Sequence, residues 1–187
     1  MRRALQVAYL TGQSDPPSCG LTDEQTRFLR ALPLPEDAKV YRNFPYDPQA
    51  RPRREVPLAI ASLSNARQYL ASQLPAFRAR HRAHVLALLA RAERTVFLAG
   101  SCGTELLRNL ALDEATLRRV HLFAYGPVAG GVPACTRMLV GSRSDRLSRF
   151  FFPAPDVVVD AGHLNYLGDP ELARRCRAFI AAVASAP

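Results

Sequence analysis

The sequence predicts an α/β fold, a three-layer α/β/α sandwich built on a mostly parallel sheet of about six strands. Short apolar runs alternate with longer segments of helical periodicity along the 187 residues. Strands that alternate with helices pair in parallel, and the helices then cover both faces of the sheet. A chain of this length suits one hydrophobic core, so residues 1–187 are interpreted as a single domain.

The individual elements follow from periodicity and from residues that start or stop helices. Thr22 caps the first predicted helix, and Gln25, three residues later, completes a capping box. A long helical segment breaks before Pro75, because a residue that precedes proline disfavours helix. The predicted strands are residues 5–10, 39–43, 95–99, 120–124, 137–140 and 157–159, and the predicted helices are residues 22–32, 58–92, 101–110 and 170–184.

Composition and motifs exclude several classes of function. No apolar run approaches the ~20 residues that a membrane-spanning helix needs. The net charge is +9, with 24 arginines and one lysine, but no nucleic-acid-binding motif accompanies it. None of the four cysteines forms a CxxC pair, so no zinc or redox motif occurs. We therefore expect a cytoplasmic protein that needs no cofactor or metal and binds neither nucleic acid nor membrane.

Two groups of residues outside the main motifs have a plain interpretation and a functional alternative. The densest basic cluster, residues 51–54, is interpreted as a solvated loop, and the alternative is a docking patch for an acidic partner such as an acyl carrier protein. His81 and His84 lie three residues apart on a predicted helix, a spacing that can bind metal. They lack nearby carboxylate or cysteine ligands and are interpreted as surface histidines.

A nucleophile motif lies between the third predicted strand and the helix that follows it. Ala99-Gly-Ser101-Cys-Gly103 has small residues two positions before and two positions after a serine. This is the form of a nucleophile elbow, G-x-S-x-G, with alanine in place of the first glycine. The strained turn needs neighbours without bulk, so that the strand and helix can pack together. The turn also puts the Cys102 backbone N–H at a helix start, where it can stabilise an oxyanion.

The same motif leaves two other interpretations open. A glycine-rich turn between a strand and a helix can be purely structural, or it can bind an anion. Cys102 is a rival nucleophile, because Gly100 and Thr104 flank it in a similar pattern if threonine counts as small. Ser101 is favoured over Cys102 because Gly103 then falls where a glycine is most needed.

Asp145 and His163 each lie just beyond a later predicted strand. The carboxyl ends of parallel strands share one edge of the sheet, where ligands of such folds bind. The chain order serine, aspartate, histidine is that of a catalytic triad on this kind of sheet. Asp145 would orient the imidazole of His163, which would accept the proton of Ser101. Taken singly, the aspartate could cap a turn and the histidine could be an ordinary loop residue.

These stretches resemble the α/β-hydrolase superfamily. The matching segments are residues 96–106 for the elbow, residues 138–145 for the acid loop and residues 157–167 for the histidine loop. The resemblance extends over most of the chain, from residue 5 to residue 183. It implies Ser101, Asp145 and His163 as nucleophile, acid and base.

The resemblance also implies an oxyanion-hole loop after the first strand. The matching stretch is residues 9–13, where the Gln13 N–H would be the second oxyanion donor beside that of Cys102. Thr11 departs from the family pattern, since a histidine is common at its position. The interval 125–136 is too short for a helical lid, so a minimal, lid-less member is implied, with residues 58–92 helping to roof the site.

The expected function is hydrolysis of an ester or thioester through an acyl-enzyme at Ser101. A small carboxylic ester fits, and so does an acyl thioester carried by coenzyme A or by an acidic acyl carrier protein. One alternative is a non-catalytic binding protein of the same fold, in which Thr11 and Ala99 mark a decayed site. Another is a hydrolase of the dienelactone type that depends on Cys102.

Overall fold

A six-stranded, wholly parallel sheet forms the centre of the protein in the computed structural model, which describes residues 2–16 and 18–186. The sheet order is β2-β1-β3-β4-β5-β6. The α/β sandwich and the parallel sheet that the sequence predicts are thereby confirmed. The strands are β1 (Arg3–Thr11), β2 (Lys39–Val40), β3 (Ala92–Gly100), β4 (Val120–Tyr125), β5 (Thr136–Ser142) and β6 (Val157–Val159).

Seven α-helices accompany the sheet in the described chain. The capping box predicted for the first one is present, because Thr22 accepts from the Gln25 N–H and the Gln25 side chain accepts from the Thr22 N–H. The predicted break before Pro75 also occurs, and it separates two helices. The helices are α1 (Asp23–Arg30), α2 (Leu58–Ser72), α3 (Pro75–Leu89), α4 (Gly103–Asn109), α5 (Glu114–Leu117), α6 (Arg146–Phe151) and α7 (Pro170–Ser185).

Side chains of the central strands alternate between two cores, one on each face of the sheet. In β1, Ala8 and Leu10 belong to the core that α3 and α4 cover. Val7 and Tyr9 belong to the core that α1 and α7 cover. This two-residue period is the one that a strand imposes on its side chains. Because a core covers each face of the sheet, both sets of side chains are apolar and the strands are continuous apolar runs.

Several predicted boundaries differ from the structure. Strand β2 ends at Val40, not at residue 43, because Asn43 turns away from the sheet ladder and bonds instead to the Cys19 carbonyl and to Thr11. The helix predicted from residue 101 begins at Gly103, and Ser101 lies in the turn before it. The short helices α5 and α6 were not predicted. Within the described residues, no helix is long and apolar enough to cross a membrane.

The order in which the chain adds strands to the parallel sheet changes side at β1. The first crossover runs from β1 to β2 on one side, and the next returns past β1 to β3 on the other side. A crevice forms at the carboxyl ends of the strands at such a switch point, and ligands of open α/β sheets bind there. The residues that follow β1 and β3, including Gln13 and Ser101, lie at this point.

Candidate active site

The turn at Ser101 has the strained backbone that an exposed nucleophile needs. Ser101 has φ of +51°, a conformation that residues with a Cβ rarely adopt. A Cβ on Gly103 would lie 1.8 Å from the Leu10 carbonyl oxygen, so only glycine lets α4 approach β1 this closely. Ala99 is fully buried at the other small position, and its methyl group fits there. The substitution of alanine for the first glycine is therefore compatible with the elbow.

A continuous hydrogen-bonded chain links the three residues singled out from their order in the sequence. Ser101 Oγ lies 3.1 Å from His163 Nε2, and His163 Nδ1 lies 2.8 Å from Asp145 Oδ2. A carboxylate only accepts hydrogen bonds, so the imidazole proton is on Nδ1 and Nε2 is free to accept from the serine. Both distances are within the range that proton transfer requires.

Asp145 is held by groups on three sides. Its Oδ1 accepts from the Ser148 N–H at 3.0 Å, which caps α6, and its Oδ2 also accepts from the Tyr166 hydroxyl at 3.0 Å. Only 2% of Asp145 is exposed. Burial alone would raise the pKa of this carboxyl, but the hydrogen bonds from Ser148, His163 and Tyr166 outweigh burial and hold the pKa below its usual value. The carboxylate is therefore ionised at neutral pH. Sequence patterns gave no role to Tyr166.

Cys102 has the environment of a buried thiol. It is 3% exposed, and burial raises the pKa of its thiol to about 12. The thiolate, which is the nucleophilic form of cysteine, is thus scarce at neutral pH. The residue occupies the N-cap position of α4 directly after Ser101, so its backbone N–H lies at the start of that helix.

The N–H of Gln13 is already engaged in the structure. It donates to Gln68 Oε1 at 2.7 Å, and Gln68 Nε2 donates back to Gln13 Oε1 at 2.9 Å. Ser64 donates to the Gln13 carbonyl at 2.7 Å, so the loop after β1 is tied to α2. Gln13 also lines a separate cavity of about 560 Å³ on the other side of α2. It can serve as the predicted oxyanion donor only if Gln68 releases it.

Ser101 and His163 open into a cavity of about 460 Å³. Its walls are mostly apolar, and no Asp, Glu, Lys or Arg among the described residues lines it. Helix α2 forms part of the roof, as expected for residues 58–92, whereas α3 contributes no lining residue in the described chain. The apolar lining residues include Ala66, Tyr69 and Leu70 of α2, Val128 of the loop after β4, and Leu147 and Phe151 of α6.

Residues of the basic cluster 51–54 and of the histidine pair contact other parts of the protein. Arg51 forms an ion pair with the buried Asp15, and the Arg54 N–H donates to the same carboxylate at 2.6 Å. This part of the cluster is thus bound within the protein. His81 packs edge-on against Phe44 and Phe77, with ring centroids 5.2 and 4.9 Å away. His81 is half-buried, and with His84 it lines the cavity of about 560 Å³.

No protein-family model matches the chain, and no curated protein matches it. The fold and the site therefore define a class and not a family. The class is an α/β protein with a six-stranded parallel sheet, in which serine, histidine and aspartate side chains are hydrogen-bonded at the carboxyl edge. This architecture is compatible with the α/β-hydrolase superfamily without being specific to it.

Proposed function

We propose that the protein is a serine hydrolase of the α/β-hydrolase superfamily, which cleaves an ester or thioester through an acyl-enzyme. The observation that carries the proposal is the hydrogen-bonded chain from Ser101 Oγ through His163 to Asp145, at 3.1 and 2.8 Å. The strained turn at Ser101 and the enclosed carboxylate of Asp145 support it, because both are features of an activated nucleophile.

In the proposed reaction, Ser101 Oγ attacks the acyl carbon while His163 Nε2 takes the hydroxyl proton. The carbonyl π electrons move onto oxygen, and the backbone N–H of Cys102 stabilises this oxyanion. The oxyanion then collapses, the bond to the leaving group breaks, and His163 returns the proton to the leaving alcohol or thiol. Water, activated by the same imidazole, hydrolyses the acyl-enzyme and regenerates Ser101.

The cavity supports a substrate with an uncharged, apolar acyl group. Tyr69, Leu70 and Phe151 would contact the acyl chain, and the absence of charged lining residues in the described chain disfavours an acidic or basic acyl group. Either a small carboxylic ester or a thioester of coenzyme A or an acidic acyl carrier protein fits. We also propose a cytoplasmic location, which the four free cysteines support.

Fluorophosphonate labelling and a panel of p-nitrophenyl esters and acyl thioesters test the proposal. Wild-type protein should react covalently and hydrolyse at least one class, and Ser101→Ala should lose both. Ser185→Ala is a matched control, because its hydroxyl donates to the Ala181 carbonyl in the last helix and does not line the cavity in the described chain. We expect that variant to behave as wild type.

The alternatives give different results in the same experiment. Wild-type ester turnover retained in Ser101→Ala would refute the proposal. A wild-type protein that neither labels nor hydrolyses any substrate would favour a non-catalytic binding protein. Inactivation by a thiol-selective reagent, with protection by substrate, would favour Cys102 as the nucleophile.

A further inference from the structure

Asn65 is a polar side chain in the cavity with no partner. It lies on α2 and lines the same cavity as Ser101 and His163. Its Oδ1 is enclosed by protein, and the carboxamide makes no hydrogen bond to any residue that the structure describes. Enclosed amide groups are nearly always hydrogen-bonded, because an unpaired one lowers stability. The carboxamide is therefore not committed to any described residue, and its accessible end can bond to a group that enters the cavity.

The position of the carboxamide is defined by two close neighbours. A Cβ placed on Gly12 would lie 2.5 Å from Asn65 Oδ1 and 2.8 Å from Cys102 Sγ. Asn65 therefore packs against the loop after β1 beside the residue that directly follows Ser101. Because Oδ1 is enclosed there and Nδ2 is not among the enclosed atoms, the NH2 group is the accessible end of the side chain.

We propose that Asn65 Nδ2 donates to the oxyanion formed at Ser101, together with the backbone N–H of Cys102. This inference rests on the proposed hydrolase function and assigns to Asn65 the role that the sequence predicts for Gln13. The Gln13 N–H is bonded to Gln68, and Gln13 lines a different cavity. A carboxamide can stabilise an oxyanion as a backbone N–H does, and it acts on charge that develops only in the transition state.

Substituting Asn65 by Ala and by Asp provides the test. Loss of one oxyanion donor lowers kcat by about 10²- to 10³-fold, and KM should change by less than about threefold. Asn65→Asp keeps the size of the side chain but replaces the donor by an anion, so its loss should be at least as large. Affinity for an alkyl boronic acid, whose tetrahedral adduct with Ser101 carries a negative charge, should fall with kcat.

Three results separate this inference from a structural role and from failure of the proposed function. If both variants keep kcat within about threefold of wild type, Asn65 is not a donor. If kcat falls while boronate affinity and the thermal midpoint stay at wild-type values, the oxyanion role is also refuted. If wild type itself lacks turnover and labelling, the hydrolase proposal is refuted, and the inference about Asn65, which rests on it, is refuted with it. Gln68→Ala, which frees the Gln13 N–H, should not raise kcat, and a rise of tenfold or more would identify Gln13 as the donor.

Discussion

Replacing Glu105 by Gln should destabilise the fold strongly and in a pH-dependent way. Glu105 is a fully enclosed carboxylate on α4. It accepts hydrogen bonds from Arg108 Nε at 3.0 Å, from Gln73 Nε2 at 2.6 Å and from the Gly130 N–H at 2.9 Å, and Asn109 donates as well. These bonds join α4 to the end of α2 and to the loop after β4, both of which form walls of the candidate active site.

The size of the effect follows from the pKa of Glu105. Burial would by itself raise this pKa, but the hydrogen bonds from Arg108, Gln73 and Gly130 outweigh burial and lower the pKa from 4.5 to about 2. That difference corresponds to on the order of 3 kcal/mol of stability. Because the folded protein has the lower pKa, the stabilisation is complete well above pH 4.5 and is lost as pH falls toward 2. By pH 3, about 2 kcal/mol is gone.

Urea denaturation followed by circular dichroism at pH 7 and at pH 3 measures this directly. At pH 7, Glu105→Gln should lower the free energy of unfolding by about 3 kcal/mol, since Arg108 also loses its buried partner. At pH 3, the gap between wild type and variant should shrink to about 1 kcal/mol. Glu114→Gln is the control, because that carboxylate is 85% exposed beside Arg118 and should matter little. An equal gap at both pH values would refute the reasoning.

Two further substitutions test the elbow and the acid. Gly103→Ala should lower the free energy of unfolding by about 1–3 kcal/mol or prevent folding, because its Cβ would lie 1.8 Å from a backbone carbonyl oxygen. Gly168→Ala should be tolerated, because its Cβ would meet no atom of the described residues within 4 Å apart from its chain neighbours. Equal denaturation midpoints for the two variants would contradict this. Asp145→Asn should lower kcat by about 10⁴-fold through the wrong tautomer of His163. Asp113→Asn, at the N-cap of α5, should leave kcat unchanged, and a comparable loss there would argue against a specific role for the acid.

Sequence patterns could predict the sheet and the meeting of a serine, an aspartate and a histidine at its edge, because both follow from local runs of residues. Each strand is a short apolar run, and β3 through β6 succeed one another across the sheet in chain order. Residues just beyond these strands therefore meet at one edge without any knowledge of side-chain packing. This is why Ser101, Asp145 and His163, separated by up to 62 residues, lie in one hydrogen-bonded chain.

The proposed second oxyanion donor, Asn65, could not be predicted in this way. The engagement of the Gln13 N–H depends on Gln68, which lies 55 residues away on a helix whose placement comes only from the fold. No sequence motif marks Asn65, because amide side chains are common on exposed helix faces. Its distinguishing property is an unpaired carboxamide whose Oδ1 is enclosed, and that property exists only once α2 packs over Gly12.

Helix α2 lines the cavity of the candidate site but contributes little to the hydrophobic core. Within α2, all of which the structure describes, Ser72 alone is buried, and the contacts of the helix with the loop after β1 are polar. The proposed reacting groups Ser101, Asp145 and His163 instead follow strands of the sheet. Under the proposed function, substitutions at Ala66 and Leu70, which face the cavity from α2, should alter which acyl groups are admitted at little cost to the hydrophobic core. Under the proposed function, the α2 residues that would select the acyl group thus lie outside the hydrophobic core, and they could be varied to change the substrate range.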